Sequence, residues 1–352
     1  MSAVRALTDV AGLRVGHEQR IGDGWLSGVT VVLCPPGGSV AGVDVRGGGP
    51  ATRETDALDP RNLVPRIDAL VLSGGSAYGL ATADGVMRWL AEQGRGYPVG
   101  RGPREVVPIV PASALFDLGR GGDFGARPDA AMGYAAARAA AGSGDRAAVA
   151  QGVLGAGTGA LAGGLKGGVG TYSDAVGDVT VGALAVVNAY GSVAAPRTGA
   201  LYAANWFPPG ELTEATPSTC PFGPVDGPVA GPVDGRAPGP DAAGQRTLNT
   251  TLAVVATDAQ LDRGDAWKLA GAAHDGLARA IRPAHTLFDG DIVFALSTGA
   301  VHGPDRPERP AWLTGLHAAA ADVLTRAVAA AVLSARCTET ARGLIPCYRH
   351  RR

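Results

Sequence analysis

Through its first half the chain alternates short apolar runs with turn-forming residues. Val29 to Leu33 and Ala69 to Leu72 are apolar runs bounded by Gly, Pro or Asp, and both predict strands. Ala77 to Glu92 predicts a helix entered through a Ser-Gly-Gly-Ser turn, and Ala130 to Ala141 a second, alanine-rich one. Val179 to Asn188 is continuously apolar before Asn-Ala-Tyr-Gly, which predicts a buried strand and a turn. The pattern then lapses. Pro208 to Gln245 is dominated by Pro, Gly and small polar residues, with a near-repeat from Gly223 to Gly235. Such a stretch buries no core and predicts a flexible surface loop over 208–245, long enough to ask for a functional reason. Order returns at Leu248: Thr251 to Ala256 is strongly β-prone, Asp262 to Ile281 has helical spacing, Ile292 to Leu296 is a strand, and Trp312 to Leu333 a long helix. Strand, helix, strand and helix in succession predict a layered α/β sandwich.

Composition narrows the class. With 46% hydrophobic and 18% charged residues over 352 positions, the chain is globular and long enough for one large domain or two. A net charge of −1 offers no basis for nucleic-acid or membrane-surface binding. Met1 to Leu13 lacks a basic segment followed by an apolar one, and Ala318 to Leu333 is broken by Asp322 and Arg326, so a cytoplasmic protein is expected. The four cysteines (Cys34, Cys220, Cys337, Cys347) show no metal-type spacing and read as free thiols.

The chemistry centres on Asn249-Thr250-Thr251. A threonine hydroxyl is a weak nucleophile unless a base sits beside it. A threonine at a chain N-terminus has one built in, its own α-amine, which titrates at about 8. An internal threonine gains that amine only if the chain is cut before it: Thr250 would attack the Asn249 carbonyl, and the resulting ester would be hydrolysed. The same three residues also suit the opening of a strand.

Several blocks, in order, carry a resemblance. They are Asp9-Val-Ala-Gly-Leu-Arg-Val-Gly-His17, Thr52-Arg-Glu-Thr-Asp56, Ser73-Gly-Gly-Ser-Ala-Tyr-Gly79, Gly122-Asp-Phe-Gly-Ala-Arg-Pro128 and Gly163-Gly-Leu-Lys-Gly-Gly168. They continue in Leu248 to Ala259 and Ala273 to Ala295. Together they resemble the DmpA-type aminopeptidases, which include the β-peptidyl aminopeptidases and the nylon-oligomer hydrolase NylC. The resemblance implies a four-layer αββα sandwich of the DmpA and ornithine acetyltransferase type, a homo-oligomer, and self-cleavage into residues 1–249 and 250–352. It implies an aminopeptidase or amidase working through an acyl-enzyme on Thr250, without metal or cofactor.

It also implies roles for other residues. Lys166, in a glycine-rich turn, belongs to the catalytic group and would hold the Thr250 hydroxyl. Asn188 would donate to the oxyanion, although an Asx turn also explains it. Asp289 and Asp291 would orient Lys166 and the free amine. Tyr134 is a second candidate donor or a packed helix residue, and Ser76 would shape the substrate pocket. His274 and His285 receive no role. Gly155-Ala-Gly-Thr-Gly-Ala160 mimics a dinucleotide fingerprint, but the acidic partner is missing at the expected distance, so no nucleotide is expected. Glu54, Asp56 and Asp59 lack a His or Cys companion and predict no metal. Two alternatives stand beside the hydrolase: an acyltransferase of the ornithine acetyltransferase type, whose Ala-Thr cleavage context is absent here, and an unprocessed, non-enzymatic binding protein.

Overall fold

A computed structural model describes residues 5–207, 248–305 and 307–351; the loop expected at 208–245 lies outside them. Ten strands build two five-stranded sheets. Strands β1 (Arg14–Gly22), β2 (Trp25–Leu33), β3 (Val40–Val45), β4 (Ala51–Arg53), β5 (Ala69–Ser73) and β6 (Ala112–Ala114) come first. Strands β7 (Gly168–Val176), β8 (Val179–Val187), β9 (Leu252–Ala259) and β10 (Ile292–Val301) follow. One sheet runs β1-β2-β5-β6-β4, the other β7-β8-β9-β10-β3. Helices α1 (Thr82–Glu92) and α2 (Ala130–Gly142) cover the first sheet; α3 (Arg263–Ala280) and α4 (Arg309–Ser334) cover the second. The order is helices, sheet, sheet, helices, which is the four-layer sandwich.

The layering explains why β8, β9 and β10 read as unbroken apolar runs. On β9, Leu252, Val254 and Ala256 point between the sheets, while Ala253 and Val255 point toward the helices. On β10, Ile292, Phe294 and Leu296 alternate with Val293 and Ala295 in the same way. With both faces buried, no alternation with polar residues survives.

Some elements depart from the sequence reading. The helix expected from Ala77 begins as a 3-10 turn, Ser76–Ala81, and becomes α-helical only at Thr82. Strand β7 escaped notice because Gly168, Gly170, Ser173 and Asp174 dilute its apolar pattern. Gly170 is required there: a Cβ would lie 2.2 Å from both the Ala327 carbonyl oxygen and the Ala331 nitrogen, so bare backbone lets alanine-rich α4 pack close. Helix α4 itself is longer than the run that announced it. By length and composition alone it reaches the dimensions of a membrane span, yet Leu316, Ala320, Leu324, Ala327 and Val328 on it are buried against the sheet and α3. Helix α3 is capped by Asp262, whose carboxylate accepts the Asp265 N–H at 2.8 Å, worth about 1 kcal/mol. The C-terminal thiols are not isolated: Cys337 and Cys347 lie with their sulfurs 2.6 Å apart across a hairpin of Thr338–Thr340 and Gly343–Ile345.

Candidate active site

Strand register gathers the site. Strand β8 runs antiparallel to β9 with Val186 opposite Leu252, so two residues further Asn188 reaches Thr250. Strand β10 runs parallel to β9 with Leu252 opposite Ile292, which sets Gly290 beside Thr250. Strand β7 pairs Gly168 with Val187, so Lys166 enters the same end of the sheet. Residues spread over more than a hundred positions thus converge at one end of the sheet.

Thr250 is buried, and its peptide is held on every side. Asn249 N–H donates to the Phe288 carbonyl at 2.9 Å, and Gly290 N–H donates to the Asn249 carbonyl oxygen at 3.0 Å, continuing the parallel ladder past the strand ends. Thr250 N–H donates to the Asn188 main-chain oxygen at 2.6 Å. The Thr250 hydroxyl donates to the Asn249 carbonyl oxygen, the oxygen of the peptide preceding it. A Cβ on Gly290 would sit 2.7 Å from Thr250 Oγ1, so the glycine lies directly against the hydroxyl.

The two aspartates flank Gly290, both buried. Asp291 Oδ1 accepts the Thr251 N–H at 2.8 Å, and its Oδ2 accepts from the main-chain N–H and Nδ1 of His285, each at 2.9 Å. Asp289 Oδ1 accepts the Tyr190 N–H at 3.0 Å, and its Oδ2 accepts from the Thr286 amide and hydroxyl. Burial raises the pKa of Asp289, and the Asp291 charge adds to the effect. The expectation that these carboxylates orient Lys166 is corrected: their oxygens are taken by donors of their own loop and of Tyr190 and Thr251.

Lys166 is fully buried at the end of a two-residue Gly163-Gly164 turn in which both glycines have positive φ, the geometry a tight hairpin demands. Its ammonium donates to the carbonyls of Gly157, Ala160 and Gly167 at 3.1, 2.8 and 2.9 Å, not to the Thr250 hydroxyl as expected. The stretch that mimicked a nucleotide fingerprint is therefore the cradle of this amine. Three acceptors match the three protons of an ammonium. Burial nevertheless lowers the pKa of Lys166 to about 7; Arg120 nearby adds to the fall and Asp117 opposes it. From about 7 up to the ordinary 10.5, the unfolded chain binds a proton that the folded chain has lost. This group therefore adds stability as pH rises through that window, and its burial penalty is felt in full below it. In the Thr250→Ala background, Lys166→Met should flatten the rise, as read by urea unfolding from about pH 6 to about pH 9.

Asn188 is also fully buried. Its Oδ1 accepts from Arg120 Nη1 at 2.5 Å and from Leu161 N–H at 3.0 Å, and its Nδ2 donates to the Phe116 carbonyl at 3.2 Å. Arg120 was missed in the sequence, where it stands in an unremarkable Gly-Arg-Gly-Gly turn. It fixes which way the Asn188 amide faces, donates to Gly159 O at 2.7 Å, and reaches the Leu248 carbonyl at 3.5 Å. Burial lowers its pKa to about 10, with Asp117 opposing. Asp117 in turn accepts from Gly75 N–H and the Ser27 hydroxyl, each at 2.7 Å. Ser76 follows Gly75 on the adjoining turn, half-buried with φ 53°, and its hydroxyl makes none of the hydrogen bonds that join this group.

Tyr134 needs correcting. It lies on α2 in the outer helical layer, where its hydroxyl donates to Glu92 at 2.7 Å and Arg88 stacks over its ring. The register that gathers Asn188, Thr250 and Gly290 does not involve α2.

The model of peptidase family S58 matches residues 5–345. The chain belongs to peptidase family S58. It is 50% identical over 347 residues to an uncharacterized aminopeptidase of Mycobacterium tuberculosis, covering 95% of each. It is 29% identical over 300 residues to a 6-aminohexanoate-oligomer endohydrolase of Kocuria sp., covering 80% of this chain and 72% of that one. A solved β-aminopeptidase of Burkholderia sp. superposes with a TM-score of 0.69 at 24% identity, over 99% of this chain and 92% of that one. The likeness to that structure establishes the shared fold. As a member of family S58, the chain is an enzyme that hydrolyses peptide or amide bonds.

Proposed function

We propose that the chain cuts itself between Asn249 and Thr250, leaving residues 1–249 and 250–352, and then removes N-terminal residues from small peptides or linear amides with Thr250 as nucleophile. The observation that carries this reading is the contact between the Thr250 hydroxyl and the carbonyl of its own preceding peptide, an oxygen that Gly290 N–H also holds. Attack by Oγ1 on the Asn249 carbon forms the C–O bond. Gly290 N–H stabilises the developing oxyanion. The C–N bond then breaks, and the hydroxyl proton passes to the departing nitrogen, which becomes the α-amine of Thr250. Water hydrolyses the ester, releasing the Asn249 carboxylate and restoring the hydroxyl.

In the cut enzyme the α-amine serves as the base, at the Asn188 carbonyl that accepts the Thr250 N–H, while Asp291 holds the following amide, Thr251 N–H. Substrate acylates Thr250, and water completes the turnover. Asn188, with an Nδ2 proton beyond the one given to Phe116, supplies an oxyanion donor, and Lys166 acts through the electrostatics of the site. The names of the Mycobacterium and Kocuria relatives support an aminopeptidase or linear-amide hydrolase. We place the enzyme in the cytoplasm, as a homo-oligomer of processed pairs, acting away from nucleic acid and membrane. Intact mass spectrometry of the purified protein tests the reading. Two masses split after Asn249 are expected; a chain that stays whole after prolonged incubation would refute it.

A further inference from the structure

His285 stands outside the expected catalytic set, yet its geometry is specialised. It is a non-glycine residue with φ 57°, in the left-handed region that most side chains avoid. That conformation turns its main-chain N–H and its ring Nδ1 toward the same oxygen, Asp291 Oδ2, each at 2.9 Å. A carboxylate only accepts, so Nδ1 carries the proton. Asp291 is left with Oδ1 aimed at the Thr251 N–H, 2.8 Å away. Behind His285 the ring of His274 packs edge-on, centroids 4.8 Å apart at 76°. His274 is itself anchored to the Asp44 carbonyl at 3.0 Å. Among the described residues His285 Nε2 is buried without a hydrogen-bond partner, so the ring's polar contact is spent wholly on Asp291.

We propose that His285 is a positioning residue for the self-cleavage and hydrolysis described above: by gripping one oxygen of Asp291 twice, it fixes the other oxygen on the Thr250-Thr251 backbone beside the nucleophile. His274 is the wall that fixes the ring. Strain at a residue is tolerated where surrounding structure enforces it and often marks such a duty.

Two substitutions separate the hydrogen bond from the shape. His285→Asn keeps a donor at the same distance from Cα and tolerates the left-handed backbone; His285→Asp matches it in size and conformation but sets an acceptor, and a like charge, against Asp291. The precursor half-time of the Asn variant should stay within about fivefold of the parent, while the Asp variant should be at least about tenfold slower than the Asn variant, the worth of a charged hydrogen bond. In the Thr250→Ala background, which needs no cleavage, the Thr251 amide should exchange with solvent at least about tenfold faster in the Asp variant than in the Asn variant. If the Asp variant fails to fold, His285→Gly relieves the backbone and opens the ring's place; processing should be slow and should accelerate on adding imidazole. Equal behaviour of the Asn and Asp variants in both measurements, or a Gly variant that imidazole leaves unchanged, would overturn the proposal. A parent chain that never cuts would count against the processing reading alone, since the Thr251 exchange still decides the role of His285.

Discussion

Thr250→Ala is expected to accumulate as one uncut chain, with amide hydrolysis reduced on the order of 10⁴-fold or more, because nucleophile and base vanish together. Thr250→Ser should still cut. It keeps the hydroxyl but loses the methyl that restricts χ1, so the hydroxyl spends less time on the Asn249 carbonyl and cleavage slows. The buried hydroxyl lies against Gly290, and alanine fits within the threonine's volume, so the Ala variant should remain folded. Intact mass over time, with turnover of a chromogenic amino-acid amide, reads both effects. Splitting after Asn249 in the Ala variant would assign the nucleophile elsewhere.

Gly290→Ala should slow self-cleavage on the order of 10²-fold, although Gly290 lies far from Thr250 in sequence. The added Cβ would meet Thr250 Oγ1 and the Gly49 carbonyl oxygen, each at 2.7 Å. Gly290 is not among the left-handed glycines, so the objection is the contact and not the backbone. Either the hydroxyl or the Asp289–Asp291 loop must shift. A displacement of about 1 Å costs on the order of 10²-fold in an oriented reaction, and the Gly290 N–H would move with it. The half-time of the uncut precursor is the direct measure. Processing at the parental rate would mean that the hydroxyl does not rest against this glycine.

The sequence disclosed much of this arrangement, and the gaps have physical reasons. Strands β8, β9 and β10 were visible because burial on both faces keeps them apolar, and α3 because its apolar positions keep helical spacing. The doubly buried Asp289 and Asp291 were found through the residues around them. What stayed hidden depends on register. Nothing in Gly-Arg-Gly-Gly indicates that Arg120 will orient Asn188, nor does 155–160 announce that Gly157 and Ala160 will present carbonyls to Lys166 instead of amides to a phosphate. Lys166 itself was anticipated, but its partners were not, since a buried amine takes whichever acceptors the neighbouring turn offers. Tyr134 stayed open between two readings for the opposite reason: an alanine-rich helix can show a tyrosine to either side, and this one packs in the outer layer against Glu92 and Arg88. His285 was passed over because its contribution comes from a backbone angle that no composition reveals.

The place of β9 and β10 has a kinetic consequence. They lie in the middle of their sheet, with β8 on one side and β3 on the other. A cut before Thr250 would leave the shorter product threaded between two strands of the longer one, its hydrogen-bond ladders intact. Folding must then precede cutting, as a one-body event. Once denatured, the cut protein would have to reassemble from two bodies, at a rate that falls with dilution, while an uncut variant would refold independently of concentration. Maturation would thus erase the chain's own simplest route back to its native state.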